Sequence, residues 1–454
     1  MRKAAFLSLC LSLMLLATLL NVSIAQDRLN LTLDECVDMT LKNNEGILKA
    51  QQAVAEAEGS LMTVRSDEYL QLNFTSWYQR SKQDNDFTMK DYNGTLSAEQ
   101  LLLRFGELPA RLDAAQEQYR RANLDLQAAK IDAVSQTRRI FYDIILIQNE
   151  MEQRKKLRDE IDKKLTRTKE RVTQRLALEL EQLAVEQELA EQELSINELK
   201  RRLRVRKVEI LQTIGADEEA EAVISGEMPD VEFIIENSIK AAMANHVDLK
   251  DLRGQIGRQE RIVREVLWEL LPEFRTAYRY KDTSLVLDQE NRTWDTSLVY
   301  EKPIWEKEGG MTPKRDKWEF SLSLGFPLFD GYRVKGIMQM EQARLKRLET
   351  ELLQREKRIR LEVRQAYHQV ADQKENMEIK ERVVTLREKT LTRMEAIMET
   401  PVISQKYPHL AGITFDDVIR AREQYTDAQR DYFAQRRNYM LAQEDLRQKM
   451  GLIE

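Results

Sequence analysis

Between Gly106 and Gly215 the chain has no glycine, and its only proline is Pro109. A proline in the first turn of a helix costs nothing, because its missing N–H has no partner there in any case. A stretch this long without a breaker is a single helix or a helical hairpin. Its first arm, Glu107 to about Arg171, would span roughly 95 to 100 Å at ~1.5 Å per residue. Leu189, Ile196, Leu203 and Ile210 recur every seven residues, and Leu178 and Val185 share that spacing, the pattern of a coiled-coil seam. The reversal is expected near Val172 to Leu178, where Thr173, Gln174 and Arg175 interrupt the seam.

The whole chain has 15 Gly and 8 Pro in 454 residues, about 5% against an average near ~12%, so its elements are long and an ordinary α/β enzyme is disfavoured. Lys plus Arg total 71 and Asp plus Glu 77, giving net −6, with both signs interleaved. That distribution has no nucleic-acid footprint. The three histidines (His246, His368, His409) lie far apart, and there are two cysteines. No metal site, cofactor motif, phosphate loop or catalytic constellation is legible.

Arg2 and Lys3 precede an apolar run from Ala4 to Leu20, and Ser23-Ile24-Ala25 closes it with a small-x-small pattern. Residues 1–25 read as a secretory signal peptide rather than an anchor, since the run is short and polar residues follow it. Its removal takes Cys10 away, leaves Cys36 without an intrachain partner, and makes the mature net charge −8, from 69 basic and 77 acidic residues. No later stretch is apolar for long enough to be a spanning helix, so a mature chain that enters a membrane must do so with strands.

The chain also reads as two repeats. Asn43-Asn44-Glu45-Gly46-Ile47 aligns with Asn245-His246-Val247-Asp248-Leu249 at an offset of 202, and Tyr78 falls on Tyr280. Arg139 and Tyr142 fall on Arg364 and Tyr367 at 225, Leu165-Thr166-Arg167 on Leu391-Thr392-Arg393 at 226, and Gly215 on Gly451 at 236. The stepwise offsets place insertions at 282–317 and 401–412 and divide the mature chain into 26–225 and 226–454. Each half holds a short helix, a strand pair and a long helical hairpin. In the second half the arms are Tyr332 to Thr400 and Phe415 to Met450.

The strand segments alternate with period two. Leu70, Leu72, Phe74 and Tyr78 oppose Gln71, Asn73 and Thr75. The weaker partner strand lies around Tyr92 to Leu101. Phe274, Thr276, Tyr278 and Tyr280 oppose Glu273, Arg275 and Arg279, while Trp318, Phe320, Leu322 and Leu324 oppose Glu319, Ser321 and Ser323. All five tryptophans (Trp77, Trp268, Trp294, Trp305, Trp318) lie in or beside these strands. That is the distribution of an aromatic girdle on a transmembrane barrel. A small soluble sheet capping a coiled coil would also collect aromatics, and periodicity alone leaves both readings open.

Particular motifs now resemble one family, the TolC-type outer membrane efflux channels. Leu31-Thr32-Leu33-Asp34-Glu35-Cys36 is similar to its opening L-T-L-x-E/D-A, and Phe326-Pro327-Leu328-Phe329-Asp330-Gly331 to its strand-to-helix junction x-P-L-F-D-G-G, with Tyr332 in place of the second glycine. Val363-Arg364-Gln365-Ala366-Tyr367 resembles its V-R-x-A-Y, and Leu446 to Gly451 its closing L-x-x-x-x-G. The first hairpin tip, Arg171-Val172-Thr173-Gln174-Arg175-Leu176, resembles R-Y-x-x-G-L with Arg175 where glycine is usual.

The resemblance implies a mainly α chain: long antiparallel coiled-coil hairpins plus four strands that complete a trimeric transmembrane β-barrel. It implies an outer membrane location with a long periplasmic extension, no enzymatic activity and no cofactor. The implied partners are a periplasmic adaptor protein, an inner membrane transporter, outer membrane lipid and two further copies of the chain. Asp417, Asp416 and Glu181 are the implied constriction residues, although Arg420 stands where a second acid can occur. Arg171, Leu176, Gly412 and Ile413 are implied at the adaptor-docking tips, and Trp77, Tyr78, Tyr280 and Trp318 at the membrane girdle. The insertion 282–317 is expected as an external loop or an extended strand pair. The competing reading is a periplasmic coiled-coil adaptor or scaffold, but no glycine-rich lipoyl-like β unit accompanies the helices.

Overall fold

The computed structural model describes residues 29–67, 69–82, 88–105, 107–175, 178–226, 231–266, 273–280, 283–288, 294–306, 318–325, 330–399 and 415–453. The signal segment 1–25, Trp268, Leu176, Gly412 and Ile413 lie outside the described residues. Eight helices and eight strands occur among them. The helices are α1 (Leu33–Asn43), α2 (Glu45–Ser66), α3 (Glu107–Thr173), α4 (Glu179–Thr213), α5 (Ile235–Asn245), α6 (Val247–Glu265), α7 (Arg333–Glu399) and α8 (Phe415–Met450). The strands are β1 (Leu29–Leu31), β2 (Gln71–Lys82), β3 (Thr88–Phe105), β4 (Ala222–Ile224), β5 (Glu273–Tyr280), β6 (Thr283–Asp288), β7 (Trp294–Glu306) and β8 (Trp318–Gly325).

Local chemistry explains the boundaries. Thr32 caps α1 through a capping box: its hydroxyl accepts from the Glu35 N–H, and the Glu35 carboxylate accepts the Thr32 N–H at 2.8 Å. That is the physical content of the Leu31–Cys36 motif. The break between α1 and α2 falls at Asn44, whose side-chain amide donates to the Thr213 carbonyl at 2.8 Å. The break between α5 and α6 falls at His246, whose Nδ1 accepts the Asp248 N–H at 3.3 Å. Helix α4 closes on Gly215 and α8 on Gly451, both at positive φ (66° and 70°), with Ala216 N–H reaching Leu211 O and Leu452 N–H reaching Arg447 O, the 6→1 bond of a Schellman motif.

The helices α3 and α7 are both 67 residues long, and α4 and α8 have 35 and 36. The first turn between long helices covers 174–178, close to the expected reversal. Leu178 precedes α4 and is exposed, so it is not a seam residue; the buried positions run Val185, Gln192, Ile196, Leu199 and Ile210. The seven-residue spacing holds from Val185 onward, through Val185, Gln192 and Leu199 in one series and Leu189, Ile196, Leu203 and Ile210 in the other, and only Leu178 falls outside it.

The chain divides into two compact units, each drawn from both halves of the sequence. The first takes residues up to 45, 132–232 and 366–446. In it β1 pairs with β4 in parallel, and the middle of α3 is buried all round from Ile140 to Ile147, Asp143 included. The second takes 46–131, 233–365 and 447–454. There Leu61 packs on Leu112 and Ala115. Arg120 donates to Glu117 at 2.7 and 2.8 Å and to Asp251 at 2.6 Å. Its guanidinium lies over Gly254, where an added Cβ would come within 2.3 Å of Cζ.

The second unit carries one six-stranded sheet of order β2-β3-β7-β6-β5-β8, antiparallel throughout. This corrects the expectation of four strands. The insertion 282–317 supplies the two extra strands, β6 and β7, whose residues alternate as wall strands do. Pro303 is accommodated because it sits where the β3–β7 register shifts, between Gly94↔Trp305 and Thr95↔Pro303.

Candidate functional site: the sheet and the hairpin ends

Register partners in a sheet lie on the same face, and successive rows alternate faces. One row crosses all six strands: Leu72, Ala98, Tyr300, Thr283, Tyr280 and Trp318. The next row is Gln71, Glu99, Val299, Ser284, Arg279 and Glu319. Below it come Gln100, Leu298, Leu285, Tyr278 and Phe320, and then Leu101, Ser297, Val286, Ala277 and Ser321. The first and third rows hold no charged residue, whereas the second holds Glu99, Arg279 and Glu319. Across these rows one face is mostly aromatic and aliphatic and the other carries Glu99, Arg279 and Glu319, while Lys302, the partner of Leu96, interrupts the apolar face toward the end of β7. This is the broad two-faced pattern of a transmembrane barrel wall.

Both sheet edges are open within the chain: β2 and β8 are the end strands. On β2, an end strand of the sheet, Leu72 and Phe74 are 65% and 55% exposed. Three of the four girdle candidates share the apolar face. Tyr280 and Trp318 are direct partners, and Tyr78, paired with Tyr92, lies on the same face as Leu72. Trp77, next to Tyr78, falls on the polar face because neighbouring strand residues alternate. No described helix is long and apolar enough to cross a membrane.

At the hairpin ends the structure describes part of the expected set. Asp417 is half-buried in the first turn of α8, and its carboxylate lies 3.7 Å from the Arg420 guanidinium. Asp416 is a first-turn residue of α8, and its side chain lies outside the described set. Glu181 is half-buried in the first turn of α4, and Arg171 is exposed in the last turn of α3. Carboxylates favour a helix N-terminus, where the backbone N–H groups are unpaired. Arg175 holds positive φ (56°), as does Tyr332 (64°) beside Gly331 (64°). The backbone thus keeps the left-handed turn at both places where the motifs exchange glycine for another residue. At the second, Asp330 compensates by accepting from the Tyr332 N–H at 2.9 Å and the Val334 N–H at 3.0 Å.

Two features were not foreseen from the sequence. Arg422, 8% exposed, donates to Glu188 of α4 at 2.9 Å and pairs with Glu395 of α7, tying three long helices together. Asp143, 6% exposed, forms ion pairs with Arg437 at 2.7 Å and Arg206 at 2.8 Å, beside a 520 Å³ cavity lined also by Glu150, Arg154, Arg202 and Arg430. Burial pushes the Glu150 carboxyl above its usual range, and those arginines hold it back. The pairing of Arg422 with Glu188 and of Arg437 with Asp143 across more than 200 residues has no sequence signature. Burial also raises the Cys36 thiol to about 12. Among the described residues no group of His, Cys, Asp or Glu is placed to hold a metal ion.

The fold is that of outer membrane channels. It matches the outer membrane protein VceC of Vibrio cholerae with a TM-score of 0.66 at 13% identity, over 92% of this chain and 96% of that one. A membrane protein from Pseudomonas aeruginosa matches with 0.66 at 15%, over 92% and 93%. The Campylobacter jejuni CmeC outer membrane channel matches with 0.64 at 14%, over 92% and 85%. Residues 36–216 match the family of outer membrane efflux proteins, in agreement with the motif resemblance. No curated protein sequence matches the chain.

Proposed function

We propose that the chain is the outer membrane channel of a tripartite efflux or secretion system. It acts as a homotrimer, a passive conduit driven by an inner membrane transporter through a periplasmic adaptor. The observation that carries this reading is the six-stranded sheet with one mostly apolar face, one more polar face and two open edges. Open edges are not tolerated in lipid, so the sheet needs further copies to close. The efflux-protein match over 36–216 supports the same assignment. In this reading residues 1–25 are removed on export, and 26–225 and 226–454 are two copies of one structural unit.

The long helices form the periplasmic extension. Asp417, Asp416 and Glu181 narrow its far end, where three chains bring several carboxylates together and favour cations. Arg171, Leu176, Gly412 and Ile413 dock the adaptor. The assigned role requires no catalytic group and no cofactor. The test is conductance of the purified mature protein in planar bilayers, beside its Asp417→Ala variant. A discrete conductance that rises in the variant supports an acidic constriction. A water-soluble protein without conductance refutes the channel and favours the adaptor or scaffold.

A further inference from the structure

We propose that the hairpin β6–β7 is part of the barrel wall, so that the assembled channel has 18 strands, six from each of three copies. This rests on the reading of the chain as a trimeric channel. Four strands per copy would close a barrel of 12.

Two observations carry the inference, and a third shows that a six-strand copy can close with its neighbours. First, β7 is not a flap beside the sheet. It pairs with β3 from Asn93↔Glu306 to Phe105↔Trp294, while β6 pairs with β5 from Thr276↔Leu287 to Tyr280↔Thr283, so the hairpin separates β3 from β5 by two full strands. Second, most inserted residues follow the two faces of the sheet, with Lys302 opposite Leu96 and Val299 opposite Glu99 as the exceptions. Leu298 and Leu285 continue the row of Tyr278 and Phe320, and Ser297 and Val286 continue the row of Ala277 and Ser321. An external loop is under no such constraint. Third, strand direction alternates across the whole order, so β2 and β8 run oppositely. The β8 edge of one copy therefore meets the β2 edge of the next as an antiparallel pair, with six strands or with four.

The consequence is width. With strands about 4.8 Å apart and tilted by about 40°, 18 strands close at a backbone diameter of about 36 Å and 12 at about 24 Å. The outer mouth is therefore about 1.5 times wider than four strands per copy would make it.

Disulfide trapping of the assembled full chain, in a Cys36→Ala background, tests the wall directly. Ala98→Cys with Tyr300→Cys joins register partners on β3 and β7 and should cross-link within one chain. Ala98→Cys with Cys at 276, 277 or 278 spans three strand spacings, about 14 Å, beyond disulfide reach. Cross-linking to β5, or none to Tyr300→Cys, overturns the proposal. A second variant deletes 283–306, whose flanks start from the paired ends Tyr280 and Trp318. Polymers added on the barrel side should then be excluded at a diameter about two-thirds of the original, and an unchanged cut-off also overturns it. Mass in detergent separates the two readings. A monomer or dimer that still forms the 98–300 disulfide refutes the trimer and with it the 18 strands, while leaving β7 beside β3.

Discussion

Three glycines hold nearly the same left-handed backbone in different surroundings, which lets conformational and steric costs be measured apart. Gly331, Gly451 and Gly215 have φ of 64°, 70° and 66°. An added Cβ meets nothing within 4 Å at Gly331, meets the Asn245 backbone at 3.2 Å at Gly451, and meets the Asn43 carbonyl oxygen at 2.7 Å at Gly215. The left-handed conformation alone costs an L-residue roughly 1 to 2 kcal/mol, so Gly331→Ala should lose about 1 kcal/mol. Gly451→Ala adds a tight contact that a small displacement of Asn245 relieves, for about 2 kcal/mol in total. Gly215→Ala forces backbone apart, and overpacking of this kind adds about 1 to 3 kcal/mol, for about 3 to 4 in total. Urea midpoints of the helical circular dichroism signal, converted with a common slope, should rank Gly215→Ala, Gly451→Ala, Gly331→Ala from most to least destabilised. Equal losses at Gly331 and Gly215 would refute the reasoning, because the close approach to Asn43 would then contribute nothing.

The converse changes, Arg175→Gly and Tyr332→Gly, should each raise the urea midpoint by the equivalent of up to about 1 kcal/mol, since both residues hold positive φ; a fall in both shows that side-chain contacts outweigh the backbone term. Arg422→Ala leaves Glu188 and Glu395 without this cation and should cost about 3 kcal/mol, at the low end for a broken buried pair because Glu395 is one-third exposed. A loss below about 0.5 kcal/mol would show that the pair behaves as a surface ion pair. Burial lowers the His246 pKa below its usual value, and the neutral ring accepts the Asp248 N–H. The unfolded chain then binds the extra proton, so stability falls as pH drops below about 6.5. His246→Asn, the residue type that stands at the corresponding break at Asn44, should flatten that slope relative to wild type. An unchanged slope would assign it to other groups.

The helices were legible because helix formation here is a matter of missing breakers. The arm expected from Glu107 to about Arg171 is α3, Glu107–Thr173, and the arm Phe415 to Met450 is α8 with the same bounds. The capping box of Thr32 and Glu35 lay inside the Leu31–Cys36 motif, which was legible only as a family resemblance. Strand count was not. The alternation of Thr283 to Asp288 is short, and β7 contains Pro303, which demotes a segment to an edge or a loop unless a register shift accommodates it. The ion pairs of Arg422 and Asp143 were beyond sequence reading because each joins helices far apart in the chain.

The two faces of the sheet are the centre of this account, and depth-dependent quenching reads them directly. Single cysteines at Leu72, Asn73, Leu285 and Ser284, in a Cys36→Ala background, would carry a fluorophore in the assembled protein in bilayers containing nitroxide-labelled lipid. The register predicts strong quenching by lipid at Leu72→Cys and Leu285→Cys, and weak quenching but full access to water-soluble iodide at Asn73→Cys and Ser284→Cys. Equal quenching of all four positions, or none by lipid, would contradict a membrane-spanning wall.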